Sequence, residues 1–188
     1  MPSGRTVLFL VWFAAAAALS ATGTLAALEP PVPQLLIGGL TALLLLAGAF
    51  LPGFRHWRAG INLRQLVALH ITRFVGIWFL VLASRGTLPA AWAVPAGWGD
   101  IAVATLAVGL VLFVPDLTAR PVVLIGWNLL GLADLLFVII TASRTALADP
   151  DALRGLFAFP TGVIPVFLVP ILLTSHLWLF ARLRPEKV

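Results

Sequence analysis

The stretch PVVLIGWNLLGLADLLFVIITA, residues 121–142, decides how this chain folds. Asp134 is its one ionisable side chain, set in an otherwise apolar run. At about 1.5 Å of rise per residue, a helix of this length crosses a hydrocarbon core of about 30 Å. Within it Asn128, Gly131 and Asp134 recur at intervals of three and so line one face. Five further apolar runs lie outward from it, at 7–28, 35–51, 65–83, 98–114 and 161–181. The expected fold class is an all-α integral membrane protein, a six-transmembrane-helix bundle in which residues 1–188 form a single transmembrane domain. No soluble domain fits between the runs.

Composition agrees. The chain is 61% hydrophobic and 10% charged, with a mean hydropathy of +1.08, where soluble domains carry about 25% charged residues. Cysteine is absent, which excludes disulfides, thiolate catalysis and Cys-ligated metals. A pI of 11.6 would suit a nucleic-acid partner, but no basic face is clustered on a folded domain. With a cytoplasmic N-terminus, Arg5, Arg55, Arg58, Arg64, Arg120, Arg182, Arg184 and Lys187 fall inside, and only Arg85, Arg144 and Arg154 outside. This positive-inside bias predicts N- and C-termini in the cytoplasm. The expected partners are the lipid bilayer and anionic lipid headgroups at the cytoplasmic loops, with no nucleic acid. A homo-oligomer or a membrane partner subunit stays open. Arg5 before the first run and the small residues at Ser20–Ala21–Thr22 have the look of a cleaved signal, but apolar character continues to Leu28. The run is therefore read as a retained helix.

The connections carry local signals. Glu29-Pro30-Pro31-Val32-Pro33-Gln34 is a short prolyl turn that makes the first two spans antiparallel. The alanines 14–18 suit close helix packing. Residues 52–64, PGFRHWRAGINLR, interleave Phe54 and Trp57 with Arg55, His56 and Arg58 as an interfacial segment does, and Asn62 is placed to cap the third helix. The stretch GTLPAAWAVPAGW after Arg85 reads as an irregular outer loop, broken by Pro89, Pro95 and glycines, with Trp92 and Trp98 in an aromatic belt. In the last outer loop, Asp149 as N-cap and Pro150 as first helical residue predict a short interfacial helix with Leu153, Leu156 and Phe157 on one face. The segments FLVLASR (79–85) and VIITASR (138–144) echo one another weakly, as related hairpins would.

Ionisable residues inside a bilayer cost about 2.5–3.5 kcal/mol each on insertion scales and mark candidate sites. Five qualify here: His70, Arg73, Asp100, Asp134 and His176. Counted from the basic residues at the inner edge, His70 and His176 lie about 9 Å deep and the aspartates about 20 Å, with Arg73 between. Arg73 is expected to pair with Asp134 or Asp100, leaving one carboxylate to exchange a proton. Plainer roles are an ion pair for Arg73 and Asp134, hydrogen bonds for the histidines, and a helix-dipole position for Asp100 in the first turn of its helix. Pro160, Pro165 and Pro170 interrupt the sixth span. The last two leave the carbonyls of Thr161 and Val166 without their helical donor, either as ligands or as a simple bend.

Three chemistries are worth weighing. His70 and His176 share a depth, so a b-type haem held by both is an alternative, with Arg64, Arg182 or Arg184 receiving the propionates. One metal held by both histidines and both aspartates would have to bridge layers about 10 Å apart, against ligand bonds of about 2 Å. Gly97-Trp98-Gly99-Asp100 resembles the GxGD of intramembrane aspartyl proteases, whose paired carboxylates share a proton. However, the second aspartate here follows that motif where theirs precedes it, and the proline-alanine-leucine motif is missing.

Taken over residues 64–181, the chain resembles a widespread group of small bacterial multi-pass membrane proteins. The residues that carry this are Arg73-Phe74-Val75-Gly76, Leu88-Pro89, Gly97-Trp98-Gly99-Asp100, Trp127 through Asp134, and Ile164 through Pro170 with His176. No activity comes with the resemblance. It implies the architecture, a bacterial inner (plasma) membrane location, and the choice of Arg73, Asp100, Asp134 and His176. The expected function is binding or passage of a proton, ion or small polar ligand at a buried cluster of Arg73, Asp100, Asp134, His176 and Asn128, with His176 as the inner relay and no cofactor. The alternatives are the haem-binding redox protein using His70 and His176, and a structural or accessory membrane subunit. Whether the protein is an enzyme is left open.

Overall fold

The computed structural model describes residues 4–183. Arg184 and Lys187, counted above among the inner basic residues, lie outside the described residues. Among those described there is no strand, and six helices are long and apolar enough to cross a membrane. They are Gly4–Ala21, Val32–Phe50, Leu63–Ser84, Ala90–Phe113, Pro121–Ala148 and Ile164–Leu183, numbered here as spans one to six. Large apolar side chains point outward, with Phe113 and Val122 each 80% exposed, while His70, Arg73, Asn128 and His176 are wholly buried. A soluble protein does the opposite.

Spans three to six hold most of the buried positions; spans one and two are peripheral. Spans three and four cross with their backbones almost touching. A Cβ on Gly76 would stand 2.5 Å from the Gly97 carbonyl oxygen and 2.7 Å from Asp100 Cβ. Small residues permit that approach in an apolar medium. Span three begins as expected at a capping box: Asn62 Oδ1 accepts from the Gln65 N–H at 2.7 Å, and Gln65 Oε1 from the Asn62 N–H at 3.0 Å. It then tightens to a 3₁₀ helix over His70–Val75 before resuming as an α-helix.

Several expectations need correcting. Span four begins at Ala90, so the stretch read as an irregular loop is largely helix. Pro89 sits at its N-cap, and Pro95 lies inside the helix, beyond its first turn, where it withholds one N–H from the ladder without ending it. Asp100 is therefore well inside the helix and not in its first turn. Trp92 is buried against Phe79, with its Nε1 donating to the Val138 carbonyl at 3.2 Å, and does not belong to a belt. In the last loop Asp149 ends span five, and the helix is one turn, Arg154–Phe157. Leu153 and Leu156 turn into the bundle with Leu88 and Trp92, so this turn is a packed cover instead of an amphipathic surface helix. The echo segments also end differently: Arg85 follows the end of span three, whereas Arg144 lies inside span five.

Span six opens as a π-helical turn over Ile164–Leu168 and continues as an α-helix from Val169, with Pro160 ahead of it. The two carbonyls freed by proline are both taken. The Ile164 N–H donates to Thr161 at 2.9 Å, and Trp12 Nε1 of span one donates to Val166 at 3.0 Å. Neither is left without a donor.

At the end carrying residues 52–64, here the basic end, a short helix Pro52–Gly60 lies across the bundle with Phe54 buried and Arg55 and His56 exposed. Arg182 donates to the carbonyls of Arg58, Ala59 and Ile61 at its close. Arg64 does the same for span four at Val111, Val114 and Pro115. Cations at helix C-termini satisfy carbonyls that have lost their helical partners.

Candidate functional site

All of the residues singled out from the sequence come together between spans three, four, five and six. Arg73 is at the centre. Its Nε donates to Asp100 Oδ1 at 2.6 Å, its Nη1 to the Gly131 carbonyl at 2.8 Å, and its Nη2 to Asp134 Oδ2. One guanidinium thus ties three helices, bonding both aspartates where the sequence argument gave it one. The 3₁₀ segment that holds Arg73 and His70 sets their direction, and glycines make the room. Any side chain at Gly99 would run into the Asp134 carboxylate, and a Cβ on Gly131 would stand 2.8 Å from His176 Cε1.

His176 joins from span six. Its Nδ1 meets Asn128 Oδ1 at 2.7 Å, while Asn128 Nδ2 donates to the His176 carbonyl at 3.1 Å. With the amide oriented this way, Nδ1 carries the proton and Nε2 keeps a lone pair. Nε2 is buried without a partner and faces Gly131, the residue whose carbonyl Arg73 uses. His70 lies against His176, ring centroids 4.2 Å apart, with its Nε2 at 2.9 Å from Ser175 Oγ. Ser175 donates to Leu172, so His70 Nε2 is the donor and Nδ1 is left unpartnered. Ser175 had no signal in the sequence beyond its place next to His176.

This geometry bears on the chemistries weighed above. The two imidazole rings are tilted against each other with centroids only 4.2 Å apart, so a porphyrin does not fit between them as they stand. Two of the arginines assigned to its propionates, Arg64 and Arg182, are spent on backbone carbonyls. The guanidinium stands between Asp100 and Asp134, so they do not share a proton as a protease dyad would. Among the described residues no group of three or more acidic or histidine side chains converges on a metal position.

A cavity of about 80 Å³ reaches the cluster from the end opposite the basic loops. A water needs only about 10–15 Å³ measured this way. Arg73 and Asp100 are its floor, and Phe79, Trp92, Leu135, Val138 and Leu172 are among its walls. Span two packs on span six, and the cavity lies in the gap it leaves toward span five, roofed by Leu153, Leu156 and Phe157. Toward the basic end the way is closed by Val67, Leu124, Trp127 and Leu179.

The comparison with known families can now be placed on this geometry. A family model described as a domain of unknown function, DUF8737, matches residues 30–184. The chain belongs to the DUF8737 family. No curated protein and no solved structure matches it. The DUF8737 region starts in the prolyl turn ahead of span two, so span two belongs to it and span one does not. The whole cluster and its cavity floor fall within the DUF8737 region.

Proposed function

We propose that this is a multi-pass membrane protein that binds a proton or a small polar ligand at the Arg73–Asp100–Asp134 cluster. The observation that carries the reading is the charge count around Arg73. One buried guanidinium faces two carboxylates, which leaves one negative charge over. An uncompensated charge in a low-dielectric interior is expensive, so a proton or a cationic group belongs there. The cavity supplies the route for exchange. By the positive-inside rule its mouth is on the outer face of a bacterial inner membrane, with both termini cytoplasmic.

The apolar closure at the basic end favours binding and exchange through one mouth; passage across the protein would require Val67, Leu124 and Leu179 to separate. His176, with its free Nε2 lone pair turned to Gly131, is the group placed to take a proton on the inner side. The rival reading is an accessory subunit in which Arg73 only locks three helices together.

Infrared difference spectra of the reconstituted protein between acid and alkaline pH separate the two. Binding predicts a protonated-carboxyl band that Asp100→Asn or Asp134→Asn removes. A wild-type spectrum without such a band at any pH would leave only the structural lock.

A further inference from the structure

We infer that the cavity takes a lipophilic amine, a small molecule with an apolar body and one cationic nitrogen seated on Asp100. The inference rests on the cluster being a ligand site and names the class of ligand.

The walls set the body. The lining is mostly apolar: Phe79, Leu135, Val138 and Leu172 carry no polar side-chain atom and Trp92 Nε1 is spent on Val138, while Gln34, whose buried Oε1 has no partner among the described residues, Ser143 and Arg154 supply the few polar groups. A polar body would lose most of its hydration there, with few partners to replace it. The floor sets the head. Arg73 is wholly buried, and three of its five N–H groups are already taken by Asp100, Gly131 and Asp134, so its charge is matched by acceptors of the protein's own before any anion arrives. Asp100 uses Oδ1 for Arg73, while Oδ2 accepts from none of the described residues and the side chain keeps 9% exposure. What an incoming molecule meets is a carboxylate oxygen backed by a surplus negative charge. A protonated amine matches it with a charge-assisted hydrogen bond and displaces the proton that otherwise balances the cluster.

The mouth does not reverse this preference. Arg154, the cation on its rim, is paired with Asp151 at 2.8 Å. The gap between spans two and five runs along the bundle side, so an apolar molecule dissolved in the membrane reaches the cavity without crossing water.

The test uses three molecules with one body: 2-phenylethylamine, 2-phenylethanol and phenylacetate. Each is titrated into the full chain in lipid nanodiscs, read by calorimetry and by tryptophan fluorescence. The amine is expected to bind saturably, about tenfold or more tighter than the alcohol, with the acid weakest. Asp100→Asn should abolish the preference for the amine over the alcohol. If that variant does not fold, Ala142→Phe, which fills the cavity away from the cluster, should block both amine and alcohol.

Equal binding of amine and alcohol, or amine binding that survives Ala142→Phe, overturns the inference, as does no binding of any of the three. Tightest binding by phenylacetate overturns the cationic class while keeping a ligand site. The infrared band stands or falls separately, so failure of the amine and failure of the cluster as a proton site are distinguishable.

Discussion

Arg73 and Gly99 are the two residues on which the centre depends, for opposite reasons. Among the described residues Arg73 supplies the one positive charge paired with these two carboxylates, both of which lose it in Arg73→Met. Breaking a buried ion pair on one side costs about 3–5 kcal/mol. Unfolding in detergent should show that loss for Arg73→Met, with most of it recovered when Asp100→Asn and Asp134→Asn are added. No recovery would mean that packing, and not charge, holds this centre. Gly99 contributes only its missing side chain. Gly99→Ala pushes on the Asp134 carboxylate and should cost roughly 1–3 kcal/mol, the usual penalty for overfilling a tight site. Alanine tolerated there at no cost would contradict the close approach of spans four and five. The charged members of this set stood out in the sequence because ionisable residues are rare in apolar runs. The glycines did not, because a glycine reveals nothing of what passes over it.

At the scale of the element, span six shows how a helix defect is absorbed. Pro170 cannot donate to the Val166 carbonyl, and the indole of Trp12 supplies the missing hydrogen. Phe167 adds an edge contact to the same indole, with centroids 5.0 Å apart. This joins span one, which lies outside the DUF8737 match, to the sixth span inside it. A double-mutant cycle measures the link. Trp12→Phe should cost about 0.5–1.5 kcal/mol in the native background and distinctly less beside Pro170→Ala, whose own N–H then reaches Val166. Purely additive costs would show that the proline and the indole act independently. The sequence disclosed which carbonyls proline would free, since that is a fixed offset of four residues. It could not disclose the new donor of the Val166 carbonyl, 154 positions away in the chain. Pro95 misled for a similar reason: whether a proline ends a helix or sits within it depends on the packing around it, and Trp92, Ala93 and Ala96 are buried on either side of Pro95.

For the whole molecule, the arrangement of charge predicts a sidedness that can be read directly, because the chain has no cysteine. Single substitutions Gly53→Cys, in the short helix of the basic end, and Ala152→Cys, beside the cavity roof, give two reporters. In intact cells an impermeant thiol reagent should label Ala152→Cys and spare Gly53→Cys until the membrane is opened. The reverse pattern would put the cavity on the cytoplasmic side and undo the proposed route of access. Six membrane-length helices, the bias of basic residues and the small set of polar residues inside the apolar runs were all determined by the sequence alone. Each is a property of a segment measured against its solvent, and needs no knowledge of neighbours. The bridging of both aspartates by Arg73, the contact of His70 with His176 and the placing of the cavity were decided only by the tertiary structure. They depend on how far each helix is rotated about its own axis and how closely two axes cross, and those are set by side-chain packing summed over all neighbours at once.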